Sequence, residues 1–209
     1  MTAFKEHMRR AGERALEALP VPLRDEIYVI SFRIWRHDSL DWRHPYLAIG
    51  YNTESEVRRV LAARGGTGGD PGEVRWSYAY WPLDETAGIL GHGPEPTDDP
   101  VGAALHLAEI KELGLWYEDF DDSDNNEEDE VDEEQEARDD LLIAHFDDAC
   151  VGLARHLHTS GKLTEVLGRP VPVLPFDMYR AEDLDRLAEA ANPPEVIVDF
   201  LAWARAQEG

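Results

Sequence analysis

Apolar positions recur at helical spacing over residues 2–19 (Phe4, Met8, Ala11, Ala15, Leu19), and Pro20 and Pro22 stop the helix they predict. Residues 26–35, EIYVISFRIW, are rich in β-branched and aromatic side chains on both faces, as expected of a central strand. After a polar loop, residues 45–51, PYLAIGY, form a second strand, and the short connection favours an antiparallel pair. Thr53-Glu54-Ser55-Glu56 has the form of a capping box, which opens a helix running to about Arg64, with Gly65 as its C-cap.

Beyond a glycine-rich loop, residues 74–81, VRWSYAYW, alternate as a third strand ended by Pro82. Residues 101–115 and 141–158 read as amphipathic helices. VPVLPFDM, residues 171–178, reads as a fourth strand, followed by helices at 181–191 and 193–207, the last with Asn192 as N-cap and Pro193 in its first turn. The expected architecture is a single α+β domain over residues 1–209, with a small antiparallel sheet of about four strands covered by helices.

Charge changes this picture in one place. Between residues 118 and 140 there are fifteen acids against one base, Arg138. Such a stretch repels itself and has little to bury, so it is expected to be a disordered insert within the domain. The whole chain carries 44 acids against 20 Lys and Arg, a formal charge of −24, which argues against direct binding to nucleic acid. With 43% hydrophobic residues the remainder can bury a core. A lone cysteine, no apolar run of membrane-span length and an amphipathic N-terminus place the protein in the cytoplasm.

No local catalytic signature emerges. The loop Gly65-Gly66-Thr67-Gly68-Gly69 follows a helix and enters a strand, the reverse of a dinucleotide fingerprint, and reads as a flexible connection. Eight histidines offer ligands, but none stands at the spacing of a metal motif: His156 and His158 point apart on a helix, and His106 and Glu109 lack a matching second pair. Asp122, Asp124, Asn126 and Glu133 imitate part of a calcium loop, with Glu127 where its glycine belongs. Neither metal nor cofactor is expected. Cys150 lies in the apolar stripe of a helix, and no GxSxG elbow occurs. Trp76 and Trp81 are read first as core, with Trp81 the aromatic nominated for a binding surface.

The Asn52-Thr53-Glu54 turn, Arg75-Trp76-Ser77 with Trp81 in an RWSxxxW pattern, and Asn192-Pro193 resemble a bacterial family, domain of unknown function 4303. The resemblance spans roughly residues 2–207; the acidic insert and the glycine loop depart from it. It implies a cytoplasmic bacterial domain similar to those associated with toxin–immunity systems, and brings no catalytic residues.

The leading expectation is therefore a non-enzymatic binding protein, an immunity-like protein that neutralises a basic toxin or nuclease partner. Its binding residues are taken as Asp121, Asp122, Asp124, Glu127, Glu128, Asp129 and Glu130, with Trp81. Two alternatives stand beside it. One is a small hydrolase or nucleotide-modifying enzyme with a site between sheet and helices, using His37, Asp38, Asp41 and His44. The other is an acidic inhibitor that mimics nucleic acid.

Overall fold

The computed structural model describes residues 1–36, 41–64, 70–82, 86–118 and 133–207. Helix α1 (Ala3–Glu17) opens with Thr2, whose hydroxyl accepts from the Lys5 amide, and buries Phe4, Met8, Ala15 and Leu16. Strand β1 (Ile27–Arg36) pairs antiparallel with β2 (Pro45–Thr53). Thr53 ends β2 and caps α2 (Glu54–Ala63) through its side chain, so the capping box forms as expected.

The next segment departs from its alternating pattern. Residues 71–76 form a short helix, α3 (Pro71–Trp76), followed by a single 3-10 turn over Tyr78–Tyr80. Asp70 accepts from the Gly72 amide and Pro71 occupies the first helical position, and this local start signal overrides the β-propensity of the sequence that follows. The third strand lies further on, as β3 (Thr86–Gly91), a short glycine-containing segment without strong alternation. Then come α4 (Pro100–Glu112), α5 (Glu133–Thr159), α6 (Lys162–Leu167), β4 (Val173–Asp177), α7 (Leu184–Ala191) and α8 (Val198–Gln207).

The sheet order is β3-β2-β1-β4. The α+β class and the four strands agree with the sequence reading, but β4 pairs parallel to β1, making the sheet mixed rather than antiparallel. Helix α5 begins at Glu133, so residues 133–140 of the expected insert are its first two turns. Acidic side chains at a helix N-terminus are favoured by the macrodipole, and Asp139 is held there by Gln135 and Tyr117. Residues 119–132, like the loop 65–69, lie outside the described residues.

Two cores result. Phe4, Met8, Ile30, Phe32, Ile34 and Leu47 join residues of α5 and α6 on one face. On the other, Tyr28, Val29, Trp76, Trp81 and Phe176 pack with Phe200 of α8. Cys150 is buried in the first core, which pushes its thiol pKa well up. Asn192 does not cap the last helix. Its amide exchanges two hydrogen bonds of 2.7 Å with the Val173 backbone, completing the buried edge of β4.

Candidate functional site

The chemistry-bearing side chains converge where β3 ends and β2 begins. Gly91 closes β3 with φ +90°, a conformation that suits glycine, and its neighbour His92 donates its amide to the Pro45 carbonyl at 3.0 Å. This turn sets His92 beside His44, the rings edge to face with centroids 4.8 Å apart. Asp99 then starts α4. Its carboxylate accepts from the Gly102 amide, as an N-cap, from the Gly91 amide, both at 3.0 Å, and from His7 Nε2 at 2.8 Å. One cap thus fastens α1, the end of β3 and the start of α4.

With α4 so placed, His106 Nδ1 meets His92 Nε2 at 3.0 Å. His145 of α5 stands next, its ring centroid 5.5 Å from that of His106. His44, His92, His106 and His145 therefore form a continuous row of imidazoles, bedded on Phe4 and Phe146. A carboxylate serves each end: His44 Nδ1 donates to Asp41 at 2.7 Å, and His145 Nε2 donates to Glu109 at 2.9 Å. Those bonds leave the second nitrogen of each end ring as an acceptor when the ring is neutral. His106 is fully buried, and among the described residues neither its Nε2 nor His145 Nδ1 has a hydrogen-bond partner. Burial, reinforced by the neighbouring His92, His145 and His44, drives the His106 pKa well below the ordinary histidine value.

The same site carries the root of the acidic stretch. Asp41 accepts from the Arg43 amide and Nε at 3.0 and 2.9 Å, and Arg43 Nη1 donates to the Tyr117 carbonyl at 2.8 Å. Tyr117 in turn donates its hydroxyl to Asp139 at 2.8 Å. Residue 117, just before the stretch, and residue 139, near its end, are thereby tied to one another and to the loop before β2. Burial would raise the Asp41 carboxyl, but the bonds from His44 and Arg43 outweigh it and hold the group well below its usual range. For Asp139 burial prevails and the pKa is raised. Beside this root opens a cleft of about 330 Å³, lined by His44, Gly91, His92, Glu95, Pro96 and Asp99.

Of the residues nominated from sequence, Asp41 and His44 are brought together at the cleft, whereas His37 and Asp38 lie outside the described residues. Asp121, Asp122, Asp124, Glu127, Glu128, Asp129 and Glu130 also lie outside them. Trp81 is buried, with its Nε1 donating to the Arg75 carbonyl at 2.9 Å and its ring edge to face with Phe176. It belongs to the second core, away from the row. Sequence spacing points to neither His92, Asp99 nor His145, and it sets His106 aside with Glu109 for want of a second pair, which His145 supplies from α5. Among the described residues no group of three or more His, Cys, Asp or Glu side chains could hold a metal ion.

Asn52, Glu54, Arg75 and Trp81 meet on the far face. Tyr28 Oη donates to the Arg75 carbonyl, which also receives Trp81, and accepts from Asn52 at 2.9 Å. Arg75 grips Glu54 through two bonds of 2.9 and 2.7 Å and lies over the Tyr28 ring. No family model matches the chain, and no curated protein or solved structure matches it either. Among the described residues no helix is long and apolar enough to cross a membrane.

Proposed function

We propose that this protein is a non-enzymatic binding protein of the bacterial cytoplasm, immunity-like in kind, that engages a basic protein partner through the acidic stretch 118–140. The observation that supports this reading is the clasp Asp41–Arg43–Tyr117–Asp139, which gathers both ends of that stretch at one point of the folded domain. Fifteen acids within 23 residues, rooted beside a cleft that adds Glu95 and Asp99, concentrate a field of one sign. Such a field accelerates encounter with a cationic protein and makes the rate sensitive to salt. The test is capture of basic proteins from the native host at low salt, followed by association kinetics of the purified pair. Replacing Asp121, Asp122, Asp124, Glu127, Glu128, Asp129 and Glu130 by their amides should slow association by about tenfold or more and flatten its salt dependence. An unchanged rate and slope would remove the acidic stretch from the mechanism.

A second reading, acid–base chemistry in the cleft, is favoured by the 2.7 Å bond from His44 to Asp41. That bond orients the ring so that Nε2 of neutral His44 is available as a base. A screen of ester, amide and nucleotide hydrolysis checks it. Turnover abolished by His44→Gln and retained by His156→Gln would favour this reading; turnover indifferent to His44 would dismiss it.

A further inference from the structure

Helix α4 buries Gly102, His106 and Ile110 and packs Leu105 partly against the first core, so a titratable imidazole stands among the few large side chains that seat it. We propose that the imidazole row is an acid-sensitive latch, which seats α4 and the root of the acidic stretch at neutral pH and releases them on proton uptake.

The geometry carries this through a count of protons. Two imidazole nitrogens 3.0 Å apart share one hydrogen between them. A first added proton leaves the contact intact but buries a positive charge. A second sets N–H against N–H and breaks the contact. Every element around His106 matters to that balance. The turn after β3 supplies His92, the loop before β2 supplies His44 with Asp41, and α5 supplies His145. Helix α1 supplies Phe4 against the ring, and His7 bonded to Asp99. The carboxylates Asp41, Glu109 and Asp99 are hydrogen-bonded to His44, His145 and His7, while among the described residues His106 has a bond only at Nδ1, to another imidazole. A charge placed on His106 has no carboxylate bonded to it, and exposure to water is the way to solvate it.

Release of α4 reaches the acidic root directly. The chain leaves α4 through Gly114 and Leu115, whose amide bonds to the Ile110 carbonyl, and two residues later arrives at Tyr117 in the clasp. Trp116 lies edge to face on His44 and under Arg43, so it should report the change.

The test is hydrogen exchange of the intact protein between pH 7.5 and 5.5, corrected for intrinsic exchange chemistry. Protection of α4 should fall by about tenfold per pH unit below about 6.5 and should stay below that of β1 and β2 throughout, because their amides open only with the whole domain. His106→Gln should abolish that slope. If that variant does not fold, His92→Gln, which removes the partner ring, should alter the slope. His158→Gln, at a half-buried histidine of α5, should leave it unchanged. An α4 without a pH slope, an α4 as protected as β1 and so opening only with the whole domain, or a slope that survives both cluster variants would overturn the latch. Its consequence for partner binding rests on the function proposed above. If α4 opens with acid while association with a basic partner is indifferent to the acidic stretch, the latch stands and that function falls.

Discussion

Two buried polar networks lie on opposite faces of the same sheet and close in opposite ways. Around Tyr28, hydrogen bonds end on fixed backbone groups: the Arg75 carbonyl receives both Tyr28 and Trp81, and Asn52 bridges Tyr28 Oη to the Thr53 amide. Around His106, bonds run from ring to ring and leave His106 Nε2 and His145 Nδ1 without partners among the described residues. A satisfied network holds one geometry and resists change; a partly satisfied one is where a small change in protonation has leverage.

The largest expected effect falls on the satisfied side. Trp81→Ala removes a buried indole and its bond to Arg75, and should cost about 3–5 kcal/mol in urea unfolding followed by circular dichroism. Were stability unaffected and only partner binding lost, Trp81 would be a surface anchor and the comparison would collapse. Tyr28→Phe is gentler. It deletes the hydroxyl that Asn52 donates to, leaving a buried amide donor short of a partner, and should cost about 1–3 kcal/mol. Burial also pushes the Tyr28 phenol pKa upward, so it stays protonated near neutrality and the loss should be the same at pH 6 and pH 8.

What sequence made legible divides along similar lines. Helix α1, the β1–β2 hairpin and the capped start of α2 are written in neighbouring residues: apolar spacing, proline stops and the Thr53 cap. Residues 74–81 were misread because alternation and an Asp70-Pro71 helix start compete within the same few positions, and the start signal wins. The parallel placement of β4 depends on a crossover that no local pattern encodes. The site shows the same limit. Asp41 and His44, three residues apart, were nominated together, but His92, His106 and His145 arrive on three separate elements and meet only through the Asp99 cap and the packing of α5. Trp76 and Trp81 are both buried, as their core reading expects, but on a short helix and the turn after it rather than on a strand, and burial removes Trp81 from the binding surface for which it is also nominated.

The third prediction concerns the imidazole side as a thermodynamic whole. His106 has a depressed pKa in the fold, so below about pH 6.5 the unfolded chain binds a proton that the native state refuses. Stability is then full above the unfolded pKa and falls with acidification by about 1.4 kcal/mol per pH unit, until the folded pKa is reached. His158, lowered by burial despite its bond to Asn192, contributes in the same direction. Urea titrations at pH 7.5, 6.5 and 5.5 should show that decline in the parent and in Tyr28→Phe alike, and a shallower one in His106→Gln. Equal slopes in all three would remove His106 from the acid response.

The smallest effect belongs to the turn that aims His92. Alanine at Gly91 would force φ +90° on a residue with a Cβ and bring that carbon to 3.0 Å from the Pro45 carbonyl oxygen, a cost of about 1 kcal/mol. The size matters less than where it falls. Gly91 donates its amide to Asp99 and precedes His92, so a shift there disturbs the cap of α4 and the contact with His106 together. The Tyr28 network, on the other face, has no bond to this turn. Gly91→Ala should therefore change the pH dependence of α4 protection, while its cost adds to that of Tyr28→Phe in the double variant. Costs that fail to add would mean that the two networks share one cooperative unit, and that the division between a rigid face and a proton-sensitive one does not hold.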